Sequence, residues 1–151
     1  MPNQILSGVR ILIVEDVAAT RRLIARLLGS LGCQDLIEAD GIETAWQHLN
    51  GQRIDLMLLD QELLDGTGIK LIQDLRANSD SPNHSIPTIM LTGHSEAAVV
   101  EQSISAGADG FLVKPVMPDK LGRRILEVLA SRKNGVARSA GRGPRTEVRW
   151  T

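Results

Sequence analysis

The chain has 151 residues, 42% of them apolar and 23% charged, with a net charge of −1. That length predicts one domain, able to bury a core without metal or disulfide staples, and the composition is that of a globular protein. The single cysteine, Cys33, excludes an internal disulfide and points to a reducing, cytoplasmic setting.

The first apolar run, Val9 to Val14, is too short for a signal peptide and stops at Glu15-Asp16. No stretch approaches the ~20 apolar residues of a membrane span. The charge is unevenly placed: residues 132–151 hold six basic residues and one acid, so this segment is +5 and the preceding body −6. This predicts a domain over 1–131 and a flexible basic tail over 132–151, which lacks any hydrophobic period. A solvated extension is the plain reading of the tail; contact with a membrane surface or nucleic acid is the sharper one. No DNA-binding domain is expected from so short a segment.

Val9 to Val14 reads as a strand buried on both faces. Ala18 to Leu31 has a helix pattern, with Leu23, Leu27, Leu28 and Leu31 on one stripe and Gly32 closing it. A short strand over Leu36 to Ala39 turns at Asp40-Gly41 into a helix from Ile42 to Leu49. Leu56 to Leu59 is a third strand, ended by Asp60. A loop through Gly66 and Gly68 leads to a helix carrying Ile69, Ile72 and Leu75, then a polar loop from Asn78 to Ser85. Thr88 to Leu91 is the fourth strand, and Ser95 is placed to cap a helix reaching Ala106. Phe111 to Val113 is the fifth strand; Pro118-Asp119 opens a last helix that carries Leu121, Ile125, Leu126 and Leu129. Strands alternating with helices predict an α/β fold, a doubly wound parallel sheet with its crevice at the carboxyl ends of the strands.

The residues that follow the strands are Glu15-Asp16, Asp60, Thr92 and Lys114. In a parallel sheet those ends share one edge, so three carboxylates, a hydroxyl and an ammonium are expected in one pocket. Carboxylates so close repel unless a cation sits among them. Hard oxygen ligands suit Mg²⁺, with the Glu62 backbone carbonyl as a further donor. A carboxylate is a competent nucleophile for phosphoryl transfer, which makes Asp60 the candidate acceptor. Lys114 is then placed to pair with a phosphate oxygen, and Thr92 to donate to another. His48, His84 and His94 have no ligand spacing and read as surface or loop residues. Trp46 and Trp150 read as packing or partner contacts.

With Glu15-Asp16, Asp60, Asp65-Gly66-Thr67-Gly68, Leu91-Thr92-Gly93 and Phe111-Leu112-Val113-Lys114-Pro115, the chain resembles the receiver domain of bacterial two-component response regulators. The likeness runs from about Arg10 to Ala130 and is closest to the stand-alone, chemotaxis-messenger form. It implies a flavodoxin-like sheet of five strands in the order 2-1-3-4-5. It implies Asp60 as phospho-acceptor, Glu15, Asp16, Asp60 and the Glu62 carbonyl as the Mg²⁺ site, and Thr92 and Phe111 as switch residues. It also implies Lys114 as the phosphate-pairing lysine, joined to Pro115 by a cis bond. The implied partners are a sensor histidine kinase or histidine phosphotransfer protein, and a downstream protein or second copy on the face of the fourth helix, fifth strand and fifth helix. The implied role is a switch, not an enzyme beyond its own phosphorylation and dephosphorylation. A relay intermediate or phosphate sink is the alternative.

Some positions depart from the family pattern. Leu64 stands where proline is usual, so the loop after Asp60 is expected to be less rigid. Gly93 replaces the usual alanine, the acidic pair is Glu-Asp, and the 78–85 loop is slightly long. The rival from another class is an aspartyl phosphatase similar to the haloacid dehalogenase group. That group places its metal-binding acids after the lysine, whereas here Glu15-Asp16 come first. A flavin or nucleotide module would need a phosphate-binding loop after strand one, where the acids stand instead.

Overall fold

The computed structural model describes residues 5–93 and 97–134. The elements are β1 (Arg10–Val14), α1 (Ala18–Ser30), β2 (Asp35–Ala39), α2 (Ile42–Leu49), β3 (Leu56–Asp60), α3 (Gly68–Ala77), β4 (Thr88–Thr92), α4 (Ala97–Ala106), β5 (Gly110–Val113) and α5 (Pro118–Asn134). The main sheet is parallel throughout, in the order β2-β1-β3-β4-β5. This is the doubly wound order anticipated from the sequence. A short antiparallel pair, Glu62–Leu63 with Gly66–Thr67, interrupts the passage from β3 to α3.

The alternation of side chains along each strand sorts the helices into two layers. Ile11 and Ile13 of β1, Leu56 and Leu58 of β3, and Ile89 and Leu91 of β4 share one core with Ile24 and Leu28 of α1 and Leu121, Ile125 and Val128 of α5. Leu12, Val14, Met57, Leu59 and Met90 face the other way. They pack on Leu49 of α2, Leu71, Ile72 and Leu75 of α3, and Ala106 of α4. β3 is buried at all five positions because both faces are covered.

One helix stripe differs from the sequence reading. On α1, Leu23 is 42% exposed and Ile24 takes the core position with Leu28, so the line that meets the sheet lies one residue from a leucine that the pattern favoured. On α5, Leu121, Ile125 and Val128 are buried and Leu126 is 43% exposed. The expected cap Ser95, along with His94 and Trp150, lies outside the described residues. The predicted tail boundary after Ser131 falls inside α5. Arg132 donates to Asp109 Oδ1 at 3.3 Å and to the Ser85 carbonyl.

Candidate functional site

The sequence places an acid directly after β1 and another at the last position of β3. Because β1 and β3 pair in parallel, with Val14 opposite Leu59, these acids meet at the carboxyl edge of the sheet. Glu15, Asp16 and Asp60 each contribute a carboxylate oxygen to a cluster in which these atoms lie within 4.8 Å of one another. Lys114 follows β5 and reaches across the edge. Its Nζ donates to Glu15 Oε1 at 2.8 Å and lies 3.2 Å from Asp60 Oδ1. Lys114 is held there by its own backbone, whose N–H donates to the Thr92 carbonyl at 2.7 Å. The Lys114–Pro115 bond is cis.

Glu15 is completely buried, which the sequence did not reveal, since an acid after a strand reads equally well as a solvated loop residue. Its other oxygen accepts from Val17 N at 3.1 Å, and its carbonyl accepts from Arg21 Nη1 at 2.7 Å. Arg21 also pairs with Glu38 on β2, so it braces the acidic turn from behind. No sequence motif pointed to Arg21; its arginine head is simply one helical turn beyond the acids.

Asp60 is 3% exposed. Burial pushes its carboxyl up to about 6, the Glu15 charge adds to the rise, and Lys114 opposes it. Burial would lower the Lys114 ammonium, but its hydrogen bond to Glu15 and the charges of Asp60 and Glu15 outweigh that and raise it. Glu62 N lies 3.4 Å from Asp60 Oδ1, at the long limit of a hydrogen bond. Gly68 starts α3 close behind the acceptor: a Cβ there would stand 2.5 Å from the Asp60 carbonyl. Thr92 is buried at the end of β4, beside this cluster's edge. Phe111 is half-buried on β5 and packs against the core that contains Met90 and Ala106. Leu64 stands 91% exposed at the tip of the loop.

The remaining candidates behave as structural residues. His48 Nδ1 is 3.2 Å from Gln52 Nε2 on its own helix end. The His84 carbonyl accepts from Arg76. Trp46 packs against the second core.

A doubly wound parallel sheet with clustered acids and a bridging lysine at its carboxyl edge defines a two-component receiver, a signalling module rather than a classical enzyme. Residues 11–126 match the response regulator receiver domain, and the chain belongs to that family. It is 37% identical over 120 residues to the phosphate regulon transcriptional regulatory protein PhoB of Escherichia coli, covering 80% of this chain and 51% of that protein. The chain thus spans about half the length of that relative. It is 31% identical to the chemotaxis protein CheY1 of Helicobacter pylori, covering 81% of this chain and 98% of that protein. Among solved structures, the CheY-like receiver domain protein of Methanospirillum hungatei superposes with a TM-score of 0.74. It is 28% identical, over 84% of this chain and 98% of that one. The family match sets aside the haloacid dehalogenase-like phosphatase that the order of the acids had already disfavoured.

Proposed function

We propose that Asp60 accepts a phosphoryl group from the phosphohistidine of a sensor histidine kinase or histidine phosphotransfer protein. The observation that carries this reading is the position of the Asp60 carboxylate. It is buried, ends a central strand, and lies 3.2 Å from Lys114 within the acidic cluster. An Asp60 oxygen forms the new O–P bond as the N–P bond of the donor breaks. The leaving imidazole keeps the electron pair and takes up a proton.

The pocket fits a hard divalent cation. Its converging carboxylate oxygens repel one another, which a cation relieves; the Asp60 carboxyl is raised first by burial and then by the Glu15 charge. Glu15, Asp16, Asp60 and the Glu62 backbone carbonyl would hold Mg²⁺. When bound, it supplies charge neutralisation for the carboxylates and for the transferring phosphoryl oxygens. Lys114 already bridges Glu15 and Asp60, so its ammonium is placed to meet a phosphoryl oxygen on Asp60.

The added phosphoryl charge, about −1.5 to −2 by analogy with other phosphorylated side chains, must be met by Lys114 and by the Thr92 hydroxyl. Thr92 moving inward and Phe111 repacking on β5 would shift the face formed by α4, β5 and α5. That face would be read by a downstream protein or by a second copy of the chain, as a shift between two populated states. Receiver domains act with histidine kinases, and a cytoplasmic setting follows from that partnership. Among the described residues no helix is long and apolar enough to cross a membrane.

The test is Mg²⁺-dependent labelling by acetyl phosphate. The wild-type chain is expected to take up one acid-stable, base-labile phosphoryl group, and Asp60→Asn none. Undiminished labelling of Asp60→Asn would overturn the assignment.

A further inference from the structure

The loop that follows Asp60 is fastened at two places. Its base is tied to the sheet: Gln61 N donates to the Leu91 carbonyl at 2.8 Å, and Gly68 N to the Gln61 carbonyl at 2.9 Å. Its far end is tied to a different element. Asp65 reaches the N-terminus of α2, where Oδ1 accepts from Ile42 N at 2.9 Å and Oδ2 accepts from Glu43 N at 3.2 Å. The helix has no side-chain cap of its own at Gly41. Asp65, more than twenty residues downstream, therefore supplies the acceptor that an N-cap residue would normally provide.

The fit between loop and helix is close. A Cβ on Gly41 would stand 2.9 Å from Asp65 Oδ1, and a Cβ on Gly66 would stand 2.5 Å from Ile42 Cδ1. Gly66 also has φ +150, in the region that favours glycine. Leu64 contributes nothing to this attachment, being 91% exposed at the tip. Between the two fastenings run residues 62–63, paired antiparallel with 66–67. This stretch carries the Glu62 peptide, whose N–H faces Asp60 Oδ1.

We propose that Asp65 is a positioning residue for the acceptor site: by clamping the loop to α2 it fixes the Glu62 peptide over Asp60. In this chain the clamp does the stiffening that an exposed leucine at position 64 cannot. The inference deepens the proposed phosphoryl transfer and rests on that reading. It makes α2 part of the support of the pocket, although α2 contributes no side chain to it.

The experiment compares full-length wild type with Asp65→Ala, Asp65→Asn and Thr44→Ala. Thr44 serves as the control. Its hydroxyl accepts from Asp40 N and Gly41 N and donates to Asp40 Oδ1, bonds that stay within the same helix end. Two readouts are taken on each folded protein: the initial rate of acetyl phosphate labelling, and the Mg²⁺ concentration that half-saturates it. Asp65→Ala is expected to raise the half-saturating Mg²⁺ about tenfold, the scale of losing a residue that orients a metal ligand. Asp65→Asn, which keeps an acceptor oxygen but not the charge, should fall between. Thr44→Ala should lower thermal stability yet leave both readouts at the wild-type value. The proposal is overturned if Asp65→Ala lowers the melting temperature alone, or if Thr44→Ala shifts the Mg²⁺ requirement as far as Asp65→Ala does. Absence of labelling in the wild type itself would overturn the phosphoryl-acceptor reading and this inference with it, whereas a normal wild type with either of the former outcomes overturns this inference alone.

Discussion

A carboxylate that is buried and set beside a second carboxylate is costly to ionise, and Asp60 meets both conditions. Its folded value of about 6 lies above the ordinary 3.8. Between those values the native state holds a proton that the unfolded chain has released. Without a cation, stability should therefore fall as pH rises through that window and level off above it. Asparagine at position 60 removes the ionisation but also gives up the contact with Lys114. Metal-free Asp60→Asn is expected to exceed wild type by on the order of 1–2 kcal/mol at pH 7.5, from about 1.4 kcal/mol per tenfold change in ionisation. The gap should close near pH 4 and shrink when Mg²⁺ is added. Urea denaturation at a series of pH values, with and without Mg²⁺, measures it. A less stable Asp60→Asn at pH 7.5 would mean that Lys114 outweighs Glu15 and burial together.

At the scale of the element, the division between what was legible and what was not follows the range of the interaction. Strand ends were readable because an acid or lysine halting a β-branched or leucine-rich run is a local signal, as with Val14 before Glu15 and Leu59 before Asp60. Parallel pairing carries those local signals to one edge, which brings Glu15, Asp16, Asp60 and Lys114 together. The burial of Glu15 was not readable, because it depends on Lys114 arriving from the far end of the chain. The same holds for Arg21 and for the Asp65 clamp on α2. The 78–85 loop is the clearest case. Its composition is polar, yet Asn83 is 1% exposed. Its amide donates to the Leu49 and Gln52 carbonyls at 2.8 and 2.7 Å, and its oxygen accepts from Ile54 N at 2.9 Å. Asn83 thus satisfies the backbone where α2 ends and β3 begins, a task no local pattern announces. Asn83→Ala strands these buried groups and should cost about 2–3 kcal/mol in urea denaturation. The labelling rate of the folded protein should be unchanged, since this loop lies at the opposite edge from Asp60.

On the scale of the whole molecule, that opposite edge is closed by a charged hub. Asp109, between α4 and β5, accepts from Thr88 N at 2.9 Å and Arg76 Nη2 at 3.2 Å through one oxygen, and from Arg132 through the other. Arg76 continues to the Gly107 and His84 carbonyls, and Arg132 to the Ser85 carbonyl. The hub ties α3, the 78–85 loop, β4 and α5 together beneath the strands, while Lys114 ties β1, β3 and β5 above them. Arg132 belongs by composition with the basic segment but by contact with the fold, because charge counting cannot see that Asp109 waits for it. Exposed ion pairs contribute little, but the Asp109 side chain is 6% exposed and Arg132 21%, so losing this bond leaves a buried carboxylate less well met. A chain ending at Ser131 is therefore expected to lose about 1–2 kcal/mol relative to one ending at Asn134. Arg132→Ala in the full chain should reproduce most of that loss. Equal urea midpoints for the two truncations would show that α5 is secured by Leu121, Ile125 and Val128 alone, and that the hub is held by Arg76 without help.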